Sequence, residues 1–134
     1  MLNSTSKNAL LLVDDDEVMI FLLKKIFEKK YNVFTANDGA EAMHHLSQGV
    51  VPDLIISDIL MENINGYELI KHLTTSVMHK DIPVIILSVT SKAEISQHLS
   101  PNLSYIIINK PFDPIHLKKI VDSIIFKTYD LYVM

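Results

Sequence analysis

The chain has 134 residues, of which 49% are hydrophobic and 21% are charged, and its formal net charge is -4. This composition is typical of a globular domain, and it excludes both a disordered chain and the basic surface expected of a duplex-binding protein. Because the sequence has no cysteine, disulfides and thiolate metal sites are also excluded.

Both ends of the chain carry information about its organisation. The segment Met1–Asn8 is short and polar and lacks the apolar region of a signal peptide. No apolar run approaches the roughly 20 residues that cross a bilayer as a helix. We therefore expect one cytoplasmic domain over residues 1–134, with a core of about 8–128 and a short apolar C-terminal tail. The tail, Phe126–Met134, either packs on the last helix or offers a partner surface, and we expect a monomer or weak dimer.

Short apolar runs alternate with helical patterns along the chain. The predicted strands are Ala9–Val13, Tyr31–Thr35, Leu54–Ser57, Val84–Leu87 and Tyr105–Ile108. The first predicted helix places Val18, Leu22, Ile26 and Phe27 towards the core, and the second begins at an Asn37–Gly39 turn and ends at Gly49. The remaining predicted helices are Gly66–Leu73, Lys92–Leu99 and one that begins at Pro114.

Five strands that alternate with five helices predict an α/β fold, in which helices cover both faces of a parallel sheet. Right-handed crossovers favour a doubly wound sheet, and the chain is too short for a closed barrel, which usually needs about 250 residues. In an open sheet of this kind the ligand site lies at the C-terminal ends of the strands. Polar residues at those ends are therefore the candidates for function.

Four strand ends carry charged or reactive side chains. They are Asp14, Asp15 and Asp16 after the first strand, Asp58 after the third, Ser88 after the fourth, and Asn109 with Lys110 after the fifth. Converging carboxylates repel one another unless a cation lies among them, and oxygen ligands without His or Cys suit Mg²⁺ or Mn²⁺. A metal, an ammonium group and a hydroxyl together can hold phosphoryl oxygens while a carboxylate acts as nucleophile.

Four segments resemble the receiver domain of two-component response regulators, of the single-domain chemotaxis-regulator kind. They are Leu11–Asp16, Pro52–Met61 with Gly66, Pro83–Ser88 and Lys110–Phe112. The resemblance extends over nearly the whole chain and implies a flavodoxin-like sheet of five βα units with strand order 2-1-3-4-5. It also implies a signalling phosphoacceptor that is no enzyme beyond self-catalysed phosphotransfer and slow autodephosphorylation.

The resemblance also assigns roles to residues. It makes Asp58 the phosphoacceptor and implies a Mg²⁺ (or Mn²⁺) site formed by Asp14, Asp15, Asp58 and the backbone carbonyl of Leu60. Ser88 and Lys110 would bind the phosphoryl group, with Ser88 as the switch hydroxyl, and the Lys110–Pro111 bond is often cis in this family. A histidine kinase or histidine phosphotransfer protein would donate, and an unknown downstream protein would respond. No direct nucleic-acid or membrane contact is implied.

Several positions depart from the family pattern. Glu62 stands where proline is usual, and Val89 follows Ser88 where a small residue is usual and could narrow access to Asp58. Ile107 stands where an aromatic residue often couples the hydroxyl to the outer surface. Tyr105 shares strand parity with Ile107, so partial replacement of that coupling by Tyr105 is geometrically allowed.

Two other functions stay open from the sequence. A pseudo-receiver would be a binding module that works without phosphorylation; Val89 and Ile107 favour it slightly, whereas the retained acidic residues oppose it. A metal-dependent phosphatase with an aspartyl intermediate usually has a second acid two residues after the nucleophile. Here that position is Leu60, which disfavours such an enzyme.

Overall fold

The computed structural model of the chain describes residues 7–100 and 104–127, and within them all five predicted strands and five predicted helices are present. The strands are β1 (Ala9–Val13), β2 (Asn32–Ala36), β3 (Leu54–Ser57), β4 (Val84–Ser88) and β5 (Tyr105–Asn109). The helices are α1 (Glu17–Phe27), α2 (Gly39–Ser47), α3 (Gly66–Thr74), α4 (Lys92–His98) and α5 (Pro114–Phe126). Of the predicted apolar tail, the part after Lys127 lies outside the described residues.

The five strands form one parallel sheet in the order β2-β1-β3-β4-β5, which confirms the predicted doubly wound α/β architecture. Successive residues of a strand point to opposite faces, so each strand serves two cores. In β1, Leu11 and Val13 pack in one cluster with residues of α2, α3 and α4, whereas Leu10 and Leu12 pack in the other with α1 and α5. Burial on both faces explains why these strands read as continuous apolar runs.

The core face of α1 agrees with the prediction only in part, because Phe27 is buried and Ile26 packs against the core as predicted, but Val18 and Leu22 do not. Val18 is 76% exposed and Leu22 is also exposed, whereas Leu23 and Phe27 are buried. Leu23 and Phe27, four residues apart, define a buried stripe that lies about 100° around the helix from Val18 and Leu22. The sequence pattern was ambiguous because α1 is apolar over most of its circumference.

The strand ends lie one residue further along than predicted for β2, β4 and β5. Ser88 and Asn109 are the last paired residues of β4 and β5 and face each other across the ladder. Polar residues in the loops that follow the strands cap the next helices, and these caps are Asp16, Asp38, Asn65, Ser91 and Asp113. Within the described part of the chain, no helix is long and apolar enough to span a membrane.

Candidate functional site

Three carboxylates meet at the C-terminal edge of the sheet, as the strand order requires. Asp14 follows β1 and Asp58 follows β3, and these strands are neighbours. The ladder continues past both strands, because Asp14 N–H donates to the Ala36 carbonyl at 3.1 Å and Asp58 N–H to the Val13 carbonyl at 2.9 Å. One oxygen from each of Asp14, Asp15 and Asp58 lies within 4.8 Å of the others.

Lys110 inserts its ammonium group between two of these carboxylates. Its Nζ lies 2.7 Å from Asp14 Oδ2 and 3.1 Å from Asp58 Oδ2. Burial acts to lower the pKa of Lys110, but the hydrogen bond that its ammonium donates to Asp14 and the charges of both carboxylates outweigh burial, so the pKa is raised. Lys110 therefore stays charged and offsets part of the repulsion at the site.

Asp14 is the most deeply buried of the three, with 2% of its side chain exposed. Burial raises its pKa above the ordinary value of 3.8, although Lys110 and the N–H of Asp16 both act to lower it. Lys110 is shared between two carboxylates. Its charge therefore does not fully offset the cost of burying the Asp14 carboxylate, and the pKa of Asp14 stays raised. A further positive charge among the three carboxylates would therefore be favourable.

The donor set fits a hard divalent cation. All three side chains offer carboxylate oxygen, with no His or Cys among them, and Mg²⁺ and Mn²⁺ prefer such ligands. Asp15 is exposed, so it lies where water could complete the coordination. Asp16 does not belong to this set, because its carboxylate caps α1 by accepting from the N–H groups of Val18 and Met19.

The loop after β3 contains Leu60, the predicted carbonyl ligand, and several hydrogen bonds hold it in place. Gly66 N–H donates to the Ile59 carbonyl at 2.8 Å, and Gly39 N–H to the Ile64 carbonyl at 2.8 Å. Asn63 donates from its side chain to Asp38 at 2.7 Å and adopts a left-handed conformation with φ of 59°. These contacts fix the path of the loop that contains Leu60.

Ser88 is fully buried, and its hydroxyl is engaged with Thr90. Thr90 N–H donates to Ser88 Oγ at 3.3 Å, and Ser88 Oγ lies 3.4 Å from Thr90 Oγ1. The Lys110–Pro111 peptide bond is cis, as the resemblance implied. The Val89 side chain points into solvent, with 72% exposed.

Tyr105 and Ile107 both pack against the core cluster on the α3 face, as their shared parity predicts. Tyr105 pairs with Val84 at the beginning of the strands and lines a cavity of about 440 Å³ there. Ser88 pairs with Asn109, four residues further along β5. Tyr105 is therefore about 13 Å along the strand from that pair, and Ile107 is about half as far.

Sequence reasoning placed Asp14, Asp15, Asp58 and Lys110 together, and the structure does the same. It missed Thr90, which controls the hydrogen bonding of the Ser88 hydroxyl, and gave Asn109 no role. Hydroxyl and amide residues beyond strand ends are common, so neither carries a signal in the sequence alone.

Comparison with known proteins agrees with this geometry. A sequence model of the response regulator receiver domain matches residues 10–122. The chain is 37% identical over 108 residues to the response regulator GtcR of Aneurinibacillus migulanus, covering 79% of this chain and 43% of that protein. It is 35% identical over 117 residues to the probable transcriptional regulator ycf29 of Pyropia yezoensis, covering 87% and 52%. The chain thus spans about half the length of these two relatives.

Solved structures show the same fold at high similarity. The signal receiver domain of a signal transduction histidine kinase from Syntrophus aciditrophicus superposes with a TM-score of 0.80 and 31% identity, covering 90% of this chain and 92% of that one. The chemotaxis response regulator CheY4 of Vibrio cholerae gives a TM-score of 0.78 and 27% identity, covering 89% and 99%. The chain belongs to the response regulator receiver domain family of two-component systems.

Proposed function

We propose that this receiver domain accepts a phosphoryl group on Asp58 with a divalent cation, Mg²⁺ or Mn²⁺, and signals through altered protein–protein contacts. The observation that carries the proposal is the position of Lys110, whose Nζ contacts both Asp14 and Asp58 within a cluster of three carboxylates. An ammonium group beside a nucleophilic carboxylate is the arrangement that neutralises phosphoryl oxygens during transfer.

Asp58 is the best placed of the three carboxylates to act as nucleophile. Asp14 is almost completely buried, and Asp15 is exposed and makes no contact with Lys110 that the structure records. Asp58 retains 12% exposure of its side chain, accepts from Lys110 on Oδ2 and accepts from the Ile59 N–H on Oδ1 at 2.6 Å. A phosphodonor can therefore reach the Asp58 carboxylate, whose orientation is fixed by these two hydrogen bonds.

The proposed transfer is a simple displacement at phosphorus. A carboxylate oxygen of Asp58 forms a bond to phosphorus while the bond between phosphorus and the donor nitrogen breaks, and the electron pair leaves with the imidazole. Lys110 pairs with a phosphoryl oxygen as the charge moves. A cation bound by Asp14, Asp15, Asp58 and the Leu60 carbonyl would supply further positive charge to those oxygens.

Membership of the family supports a proposal for the partners and the location of this domain. We propose a histidine kinase or a histidine phosphotransfer protein as donor, in the cytoplasm, and an unidentified protein as the recipient of the signal. The hybrid signal transduction histidine kinase D of Dictyostelium discoideum is 29% identical to this chain over 110 residues, which supports a connection of such domains with histidine kinases. Catalysis would be limited to self-phosphorylation and slow loss of the phosphoryl group.

The test is an intact-mass measurement after incubation with acetyl phosphate, with and without Mg²⁺. We expect the wild type to gain the mass of one phosphoryl group only when Mg²⁺ is present, and Asp58→Ala to gain none. Asp81→Ala, which removes an exposed carboxylate before β4, is the matched control and should behave as wild type. No adduct on the folded wild type, together with no binding of beryllofluoride, would contradict the proposal and favour the pseudo-receiver.

A further inference from the structure

The side chain of Asn109 bridges the loop between β4 and α4. Its amide nitrogen donates to the Ser88 carbonyl at 3.1 Å and to the Thr90 carbonyl at 2.7 Å. Because both partners are carbonyl oxygens, only the NH₂ group of the amide can face them, which settles its orientation. The Asn109 side chain thus joins the residues on either side of Val89, and we call this pair of hydrogen bonds the clamp.

The two ends of the clamp differ in what else holds them. The Ser88 carbonyl also accepts from the Lys110 N–H at 3.0 Å, and Ser88 is paired with Asn109 in the ladder. The Thr90 carbonyl lies beyond the end of the ladder, so the Asn109 amide is what ties it to β5. The exposed Val89 side chain adds little packing to this segment. The position of Thr90 relative to Ser88 therefore depends on the clamp and on the burial of Thr90.

That position matters because Thr90 engages the Ser88 hydroxyl. The two contacts of Ser88 Oγ, with Thr90 N at 3.3 Å and Thr90 Oγ1 at 3.4 Å, are long for hydroxyl hydrogen bonds and are individually weak. A serine hydroxyl has a single hydrogen. To donate it to a phosphoryl oxygen on Asp58, Ser88 must give up its hydrogen bond to Thr90 Oγ1.

We propose that Asn109 is a positioning residue for the phosphoryl site, whose clamp holds the β4–α4 loop where Thr90 engages the Ser88 hydroxyl. The inference rests on the proposed function, because it assigns the regulation of that same site. Loss of the clamp allows Thr90 to move away and frees the hydroxyl. A phosphoryl group, which binds better to the freed arrangement, is then bound more tightly.

Asn109→Leu tests this, because leucine has nearly the same shape and neither donor. Asn32→Leu, at an exposed position in β2, is the matched control. Beryllofluoride, which replaces the phosphoryl group on Asp58, is titrated into each protein with Mg²⁺ and followed by ¹⁹F NMR. We expect about five- to tenfold tighter binding for Asn109→Leu, in proportion to one or two lost hydrogen bonds, and no change for the control.

Amide hydrogen exchange without Mg²⁺ supplies a second measurement. The Val89 and Thr90 amides should exchange at least several-fold faster in Asn109→Leu, while those of β1 and β3 keep their wild-type rates. If Asn109→Leu does not fold, Thr90→Val tests the step on which the inference depends, because it removes the hydroxyl that accepts from Ser88 and should also tighten beryllofluoride binding.

Unchanged or weaker binding by the folded variants, with the wild type binding normally, overturns the inference. A residue with a purely structural role would lower stability without raising the affinity for beryllofluoride. Failure of the wild type to bind beryllofluoride at all is a distinct result, which overturns the proposed function and this inference with it.

Discussion

Lys110 places its Nζ 3.1 Å from Oδ2 of Asp58, a residue 52 positions earlier in the chain. The contact exists because β4 lies between β3 and β5 and brings their C-terminal ends to one edge of the sheet. The same ammonium also reaches Asp14, which follows β1, one strand further along the order. The topology of a parallel sheet, and no local motif, therefore assembles the site.

Replacing Asp14 should stabilise the metal-free fold and at the same time weaken the binding of Mg²⁺. Asp14→Asn keeps an oxygen that can accept from Asp16 N–H and removes a buried carboxylate whose pKa burial has raised. The folded state binds the Asp14 proton more tightly than the unfolded state does. Ionisation of Asp14 therefore has no effect on stability below pH 3.8 and lowers the stability of the fold fully once the pH exceeds the raised pKa. We expect Asp14→Asn to gain about 1 kcal/mol of unfolding free energy at neutral pH in chelator.

Denaturant unfolding with chelator and with Mg²⁺ checks this prediction. The variant should lose most of the stabilisation that Mg²⁺ confers on the wild type. Asp113→Asn, which replaces the exposed N-cap of α5, is the control and should change neither quantity appreciably. An Asp14→Asn variant less stable than wild type in chelator would show that the burial of this carboxylate is fully compensated.

Gly66 should tolerate no side chain, because a Cβ there would overlap the carbonyl oxygen of Asp58. The overlapping atoms, Asp58 O and Ile59 Cα, belong to the backbone, so relief requires moving either α3 or the segment that contains Asp58. We expect Gly66→Ala to cost about 2 kcal/mol of stability and to weaken Mg²⁺ binding. Both are measured by unfolding with and without Mg²⁺.

Gly49→Ala is the comparison for Gly66→Ala. Gly49 has a φ of 94° and no atom within 4 Å of an added Cβ, so alanine is strained there without a clash. It should cost about 1 kcal/mol through backbone strain alone and leave Mg²⁺ affinity unchanged. Equal effects of the two substitutions on Mg²⁺ affinity would argue against a specific role of Gly66 at the site.

Tyr31 should make stability sensitive to alkaline pH. Burial and the hydrogen bond to Asp122 raise the pKa of Tyr31 above its ordinary value of 10.0. The folded state therefore keeps the phenol proton more tightly than the unfolded state, so this contribution to stability is complete below pH 10.0 and is lost as the pH rises beyond it.

Tyr31→Phe is the variant that isolates this effect. At about pH 8 it should be less stable than wild type by about 1 kcal/mol, because the hydrogen bond to Asp122 is lost. Towards about pH 11 the difference should shrink by up to about 1 kcal/mol. Urea unfolding at both pH values measures the difference in stability between the wild type and Tyr31→Phe. A difference that stays constant would contradict a raised pKa of Tyr31 in the folded state.

Leu60 should give the phosphorylated domain a long lifetime. Its side chain is 58% exposed beside the site and has no polar group to orient an attacking water. We expect loss of the phosphoryl group over minutes or longer, followed by intact mass after removal of the donor. Leu60→Asn should shorten the lifetime, whereas Val51→Asn, at another exposed apolar position, should not. A wild-type lifetime of seconds would contradict this prediction.

The sheet and the acidic cluster could be predicted from the sequence because each depends on simple periodicity. Buried parallel strands such as Leu54–Ser57 are continuous apolar runs, and the residue after such a run must lie at the functional edge. Asp14, Asp58 and Lys110 were found in this way. Strand parity likewise placed Tyr105 and Ile107 on one face.

Features that depend on side-chain geometry could not be predicted. Helix α1 is apolar on most sides, so its sequence did not distinguish Leu23, which is buried, from Leu22, which is exposed. The engagement of Ser88 by Thr90 and the clamp by Asn109 depend on the path of a loop between two strands. No spacing rule describes such a path.

Locating the phosphoryl group within the chain tests the central claim most directly. After phosphorylation with acetyl phosphate and Mg²⁺, borohydride reduction converts a phosphorylated aspartate to homoserine, and cleavage after lysine separates the candidates. Asp14 and Asp15 fall in the peptide 8–24, and Asp58 falls in 31–71. We predict homoserine at position 58 alone. Homoserine at 14 or 15, or unmodified peptides from protein that carries a phosphoryl group, would contradict the account.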